Sequence, residues 1–597
     1  MFLSYFWHVE GIGPTEARTR FHDILEAQRV MYSEAWNRPV SVTLHQQGNT
    51  LVGQLYSDPG VIGWKPWVKG NGSGLVWNGV CESFLGTRFD VGAIQDIQAT
   101  LARSPQQVCT WDGNFYVISW DRHEDSVYLT TGATECPALW YTEGPYGWAA
   151  GSRGEPILEM VGRERRISTA ASNVFLSYGH NYSDASLLEH VYRVPQRTQI
   201  TARSGSRPRI SRYATIQEYL GQEVHCADRD ERLAMCADRL TARIARQLQY
   251  SSHPEVLVTG GRDSRCIAAA AKRAGYTGVL STGGAAECQD VVIGAQVASR
   301  LKLTHLHTPD RVPMDRFSNA VDRLRLWSTM SEGAEVIRHA RAYNRFIEGD
   351  VQPVEKQQLF HGLGGEIGRG YYYHNTGNLE QLYTADYAIG RQILSAAAKS
   401  DAPMTRDARA LIEARWDSFS EDFGADQGTV AHWLDMFFWQ NSCLHWGADM
   451  LSVKSTMYWA WSPFLDRELI KSYRGLDPDD KRSNRFIQDL AVMLSSELDG
   501  LGYDVAANHN KPRRSMGSRL LGRVRRSLRQ RFGNRSAAGD QQVELNQFWD
   551  KVLLGTNNPF WTKCIDESRV RKLIRDDPSS CVLWNAATIQ LIAEAYS

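Results

Sequence analysis

Over residues 1 to about 210, apolar and polar residues alternate in short runs. Ser41-Val-Thr-Leu, Thr50-Leu-Val-Gly-Gln-Leu-Tyr, Asn114-Phe-Tyr-Val-Ile-Ser-Trp, Ser126-Val-Tyr-Leu-Thr-Thr and Ala149-Ala-Gly-Ser are separated by Gly and Asn or Asp. Period-two alternation between turn residues predicts an antiparallel β domain. A few helices are expected within it, one over about Thr15–Ala35. Ser204-Gly-Ser-Arg-Pro-Arg reads as a linker. From about Ile216 the texture changes to helical patterns, as in Glu231–Tyr250. A short apolar strand, Val256-Leu-Val, a Gly-rich turn and a helix, Cys266–Ala274, follow. A second strand, Gly278-Val-Leu-Ser, and a second helix, Val291–Leu301, come next. This βαβα order predicts a parallel sheet covered by helices. Helical sequence fills most of 315–500, and no internal repeat is visible.

A chain of 597 residues is too long for one ordinary domain. The change of pattern divides it into 1–210 and 211–597. Apolar residues at 42% and charged residues at 22% exclude wholesale disorder. Lys plus Arg and Asp plus Glu are each 67, so the net charge is zero. That balance argues against nucleic acid as a partner. No run approaches 18 apolar residues, so no membrane span is expected. Met1–Gly11 lacks the basic flank of a signal peptide. The 10 cysteines are scattered with no CxxC pair. Zinc ribbons, iron–sulfur clusters and dithiol redox motifs are thereby excluded, and a cytoplasmic location is expected. One local imbalance stands out: Lys511–Arg535 is basic, with Leu520, Val524, Leu528 and Phe532 forming an apolar stripe. It reads as an amphipathic basic helix or insertion with a solvated face, or as a surface that meets an acidic partner, a peptide or a membrane face.

The strongest chemical signal is Val256-Leu-Val-Thr-Gly-Gly-Arg-Asp-Ser-Arg-Cys-Ile-Ala-Ala. A strand ends, a glycine loop follows and a helix begins. Backbone N–H groups of Thr259, Gly260 and Gly261, the Ser264 hydroxyl and the helix N-terminus can meet an anion there. Asp263 can hold a magnesium ion that bridges phosphates. The spacing and lysine of a Walker loop are missing.

Thr259-Gly-Gly-Arg-Asp-Ser resembles the SGGxDS pyrophosphate loop of the asparagine synthetase superfamily. Further stretches match that family in order. They are Ser281-Thr-Gly-Gly-Ala-Ala-Glu-Cys-Gln-Asp, His361-Gly-Leu-Gly-Gly-Glu-Ile-Gly-Arg-Gly-Tyr and Trp461-Ser-Pro-Phe-Leu-Asp-Arg-Glu-Leu, followed by Lys511. Upstream, Trp111-Asp-Gly-Asn-Phe-Tyr-Val-Ile-Ser-Trp-Asp and Leu129-Thr-Thr-Gly-Ala-Thr-Glu-Cys-Pro-Ala-Leu-Trp-Tyr resemble its glutaminase domain. The resemblance implies an α+β, Ntn-hydrolase-like N-terminal β domain. An α/β pyrophosphate-loop synthetase domain of the adenine nucleotide alpha hydrolase-like kind would follow. It departs from the family at position 2, where the nucleophilic cysteine is replaced by Phe2. A phenyl ring cannot attack an amide carbon, so glutamine hydrolysis is expected to be lost.

The resemblance implies an ATP-dependent carbon–nitrogen ligase that adenylates a carboxylate, releases pyrophosphate and passes the acyl group to an amine. ATP and Mg2+ are the implied cofactors. By position, Asp263 and Glu366 are the implied magnesium ligands. Thr259, Gly260, Gly261, Ser264, Arg265 and Asp290 line the pyrophosphate site, and Lys511 stabilises the reacting centre. Glu366 has Arg369 as a rival partner, and Lys511 could belong simply to the basic run. The family's amine-orienting Glu or Tyr is replaced by Leu363, leaving His361 and Tyr371–Tyr373 as nearby substitutes. Relatives with an inactive N-terminal domain include β-lactam synthetases and lasso-peptide cyclases. Peptide macrolactam formation is the favoured form, with a precursor peptide and a leader-binding or protease partner. Ammonia-dependent amidation and an inactive nucleotide-binding scaffold are the alternatives.

Overall fold

The computed structural model describes residues 2–58, 60–70, 72–121, 123–134, 137–221, 228–309, 320–342, 357–396, 404–424, 428–503, 543–556 and 559–596. The architecture is mixed α/β with three sheets.

The first two sheets form the N-terminal domain. Their strands are β1 (Phe2–Val9), β2 (Ser41–Gln47), β3 (Thr50–Tyr56), β4 (Trp67–Gly70), β5 (Ser73–Cys81) and β6 (Gly113–Trp120). They continue with β7 (Ser126–Thr131), β8 (Trp140–Gly144), β9 (Gly147–Gly151), β10 (Tyr192–Arg193), β11 (Thr198–Arg203) and β12 (Ser206–Arg212). One sheet has the order β10-β8-β9-β1-β3-β2 and the other β12-β11-β7-β6-β5-β4. Every pairing in both is antiparallel. Phe6, Val52, Val76, Ile118, Leu129, Trp148 and Ile200 fill the space between them.

The helix expected near Thr15–Ala35 is α1 (Pro14–Trp36). It packs on the first sheet through Phe21, Ile24 and Leu25, against Tyr5 and Trp7 of β1. Central strand β1 is buried along its whole length, which explains why it reads as a nearly continuous apolar run. On the second sheet lies α2 (Val91–Arg103), whose N-terminus Asp90 caps by accepting from Ala93 N–H. The domain is therefore a four-layer helix–sheet–sheet–helix sandwich, with α3 (Gly154–Met160) beside α1. The expected linker at Ser204–Arg209 is instead the β11–β12 hairpin turn and the start of β12, which pairs with β11 along its length. Two turn-forming residues, Ser204 and Gly205, produced that misreading; Gly205 has φ +73°. After α4 (Thr169–Tyr178) and this hairpin, the capping-box helix α5 (Ile216–Leu220) leads into the second half.

There, α6 (Arg229–Gln249) precedes β13 (Pro254–Leu257), α7 (Asp263–Arg273), β14 (Val279–Gly283), α8 (Gln289–Leu301) and β15 (Thr304–Thr308). β16 (Gln358–Phe360) and β17 (Trp459–Trp461) complete a five-stranded sheet of order β15-β14-β13-β16-β17. All four pairings are parallel, as the βαβα pattern predicts. The chain builds outward from β13 to β15, then returns to the other side of β13. The carboxyl ends of β13 and β16 thus flank a topological switch point, the edge at which open parallel sheets ordinarily bind ligands.

The two halves share their interior. Phe2 is 2% exposed and meets Trp459 of β17 edge-on at 5.8 Å. Glu82 accepts from Arg243, Arg246 and Gln247 of α6. Among the described residues, no helix is long and apolar enough to cross a membrane.

Candidate functional site

The loop between β13 and α7 leaves the sheet at the switch point. Ser264, in the first turn of α7, turns its hydroxyl back to accept from Thr259 N–H at 3.1 Å and lies 3.0 Å from the Thr259 hydroxyl. Thr259 Oγ1 in turn accepts from Gly261 N–H at 3.1 Å. Asp290, in the first turn of α8, reaches across from the neighbouring crossover and accepts from Gly260 N–H at 2.8 Å. Thr259, Gly260, Gly261, Ser264 and Asp290 are thus brought together. All three backbone donors expected to face an anion meet oxygen acceptors of the chain itself. One of these is a carboxylate, the kind of group such a loop selects.

The loop after β16 closes on this one from the opposite side. A Cβ on Gly362 would lie 2.8 Å from Ser264 N, and one on Gly365 would lie 2.7 Å from Asp263 Oδ1. Only glycine permits that approach. It brings Glu366 beside Asp263. Arg369 donates Nε to Asp263 Oδ1 at 3.0 Å and Nη2 to Oδ2 at 2.6 Å, and Nη2 lies 3.7 Å from Glu366 Oε1. Glu366 also accepts from Gly364 N–H at 3.1 Å. Burial and the neighbouring Asp263 charge push the Glu366 carboxyl up to about 7, against the pull of Arg369.

Two sequence expectations are corrected here, and a third meets the rival partner that the sequence also offered. The carboxylates expected to share a magnesium ion do meet, but a guanidinium engages both. Among the described residues no group of three His, Cys, Asp or Glu could hold a metal ion. Asp263 and Glu366 therefore already have a cationic partner within the chain. Arg265, expected at the pyrophosphate, is fully buried. It donates to Leu501 and Gly502 carbonyls at 3.0 and 2.7 Å and stacks on Tyr503 at 3.7 Å. It anchors the last described residues before 504–542. Finally, His361 does not fit a base. Its Nδ1 accepts from Leu363 N–H and its Nε2 lies 3.1 Å from Ser462 Oγ. Burial, helped by Lys454, holds its pKa down at about 3. Lys511 and the basic segment 511–535 lie outside the described residues.

Leu363 packs on the helix Gly447–Lys454, where a Cβ on Gly447 would come within 2.9 Å of it. Tyr373 donates to Asp435, which also pairs with Lys481. Tyr372 lies 3.4 Å from Ser442 Oγ. Tyr371 interacts electrostatically with Arg369. Sequence reasoning passed over Arg262, whose guanidinium sits 5.0 Å from the Tyr503 ring within electrostatic reach of Arg369 and Asp263. Its position inside the glycine loop was the available signal.

No family model and no curated protein matches the chain. Matches among solved structures include one titled as the structure of the allosteric regulatory enzyme of purine biosynthesis, to which this chain is similar at 10% identity. The match covers 43% of this chain and 60% of that one, with a TM-score of 0.22.

Phe2 is enclosed by its neighbours. Phe2 lies against Trp459, and its carbonyl accepts from Asn78 Nδ2 at 3.1 Å. Around it Ser4, Gln54, Asn78, Tyr116 and Ser152 form a buried hydrogen-bonded network.

Proposed function

We propose that the protein is an ATP-dependent, AMP-forming amide synthetase without glutaminase activity. One observation carries this reading: a Thr-Gly-Gly-Arg-Asp-Ser loop at the carboxyl end of β13, at the switch point of a parallel sheet, faced by a second glycine loop that brings Glu366 and Arg369 onto it. Switch-point crevices are where such sheets bind ligands.

In the proposed reaction a carboxylate oxygen attacks the α-phosphorus of ATP. The bond to the bridging oxygen breaks, and pyrophosphate leaves. An amine then attacks the acyl carbon, loses its proton and displaces AMP. The N–H groups of Thr259, Gly260 and Gly261 exchange their internal acceptors for phosphate oxygens. Arg262 and Arg369 supply positive charge where negative charge accumulates. Leu363 presents an apolar wall in place of a base. This suits an amine that arrives neutral and already oriented, as when it belongs to the same substrate molecule. Peptide macrolactam formation in natural-product biosynthesis, from a precursor peptide, is the form we favour; free ammonia is the competing nitrogen source.

The test is ATP–pyrophosphate exchange with pools of carboxylates, including Asp- and Glu-containing peptides, against an Asp263→Ala control. Exchange with one pool that disappears in the control supports the reading, and later addition of ammonia identifies the nitrogen donor. ATP binding without exchange in any pool favours an inactive nucleotide-binding scaffold. That second reading draws on the loop donors, which already have acceptors within the chain.

A further inference from the structure

Asp263 and Glu366 come from two loops that close face to face, an arrangement that ordinarily makes a divalent-cation site. Here the cation is part of the chain. Arg369 ends the short turn Gly365–Arg369, in which Glu366 is the second residue. Its guanidinium grips Asp263 through two bonds, at 3.0 and 2.6 Å, with Glu366 Oε1 at 3.7 Å from the same Nη2. The side chains are shielded: Arg369 is 15% exposed and Asp263 12%. Gly365 and Gly362 allow a backbone approach that keeps the fork within reach. A guanidinium matches a carboxylate with two parallel bonds and cannot shed its proton. An ion entering between the carboxylates would have to break that fork and sit beside the charge it displaced. Arg262 adds a second positive charge beside Arg369 and Asp263.

We infer that the Arg369 guanidinium holds the place a magnesium ion would take between Asp263 and Glu366, so that this site carries its own cation. The resident cation follows from geometry alone, while its consequence for nucleotide binding rests on the ATP-binding reading above.

The experiment uses the full chain, with the variants Arg369→Met and Arg369→Lys, and magnesium chloride alone as the first probe. Thermal unfolding is followed in EDTA and in millimolar Mg2+, without nucleotide. The wild-type Tm is expected to be the same in both. R369M is expected to melt lower in EDTA and to recover part of the loss in Mg2+, because the freed carboxylates then bind the ion. A wild-type Tm that rises with Mg2+ as much as that of R369M overturns the inference. If R369M does not fold, R369K keeps a charge but cannot form the two-bond fork, and should show the same ordering with smaller amplitude. No Mg2+ response in the variants would also overturn it.

ATP binding by calorimetry is the second probe. Wild type should bind ATP in EDTA within about tenfold of its affinity in Mg2+. R369M should bind only in Mg2+. Wild-type binding that requires Mg2+ sinks the inference and leaves the nucleotide reading standing. Absence of binding in both conditions sinks the nucleotide reading, and the melting curves alone then decide whether Arg369 is the resident cation.

Discussion

Gly365 has no alternative at its position. An alanine there would place its Cβ 2.7 Å from three atoms of Asp263, whose carboxylate is already held by Arg369. Gly365→Ala is expected to cost about 1–3 kcal/mol through overpacking and to weaken ATP binding. Denaturant titration and calorimetry check the two effects separately. Glu366 allows a prediction about pH. Its folded-state pKa is raised from 4.5 to about 7. Between those values the folded chain holds a proton that the unfolded chain has released. Stability from this group is therefore full below about 4.5 and is lost as pH rises toward 7. Glu366→Gln should flatten that segment of the pH–stability curve. A slope unchanged in the variant would assign it to other groups.

At the scale of elements, the two loops meet because β13 and β16 are neighbours although α7, β14, α8 and β15 intervene between them in sequence. Asp290 connects two of these crossovers by accepting from Gly260 N–H. In that position its negative charge competes with an incoming phosphate. Asp290→Asn keeps an acceptor for Gly260 and removes the charge, so a charge-assisted bond becomes an ordinary one at roughly half its strength. ATP or pyrophosphate binding is expected to tighten about threefold to tenfold, with a small loss of Tm. Weaker binding would mean that Asp290 shapes the loop and does not compete with its ligand.

The two halves of the molecule are joined through buried polar and aromatic contacts. Glu332, in a left-handed conformation at φ +47°, accepts from Arg153 at 3.1 Å and from the backbone N–H groups of Gly154 and Glu155 at 2.6 and 2.9 Å. Removing Glu332 leaves the buried Arg153 guanidinium with the more distant Glu155, at 3.8 Å, and strands the Gly154 and Glu155 N–H groups, so Glu332→Ala is expected to destabilise by about 3–5 kcal/mol. Phe2→Ala should cost a similar amount, about 3–5 kcal/mol, by opening a cavity against Trp459. If the halves unfold as one unit, both variants will lower a single transition. Two separated transitions would show that the interface is weaker than its burial suggests.

Much of this was legible in the chain, and the limits have physical causes. Short runs rich in β-branched and aromatic residues between turn residues marked the antiparallel strands, and the helices outside the sandwich leave β5, β6 and β7 buried along their whole length. The βαβα rhythm marked the parallel sheet, and Thr-Gly-Gly-Arg-Asp-Ser marked the loop at its carboxyl edge. Which charges meet was not written in any local pattern. Glu366 and Asp263 stand on different loops, far apart along the chain, whereas Arg369 follows Glu366 by three positions. Sequence spacing left metal and arginine as rival partners. Only the adjacency of β13 and β16, with two glycines bare enough to let their loops touch, decided that the guanidinium reaches Asp263 first. Arg265 shows the same limit: its place one residue past the loop suggested phosphate, and the helical turn carried its side chain to the carbonyls of Leu501 and Gly502. Local sequence determines what an element can be; side-chain direction and strand order, both set by packing of the whole, determine what it meets.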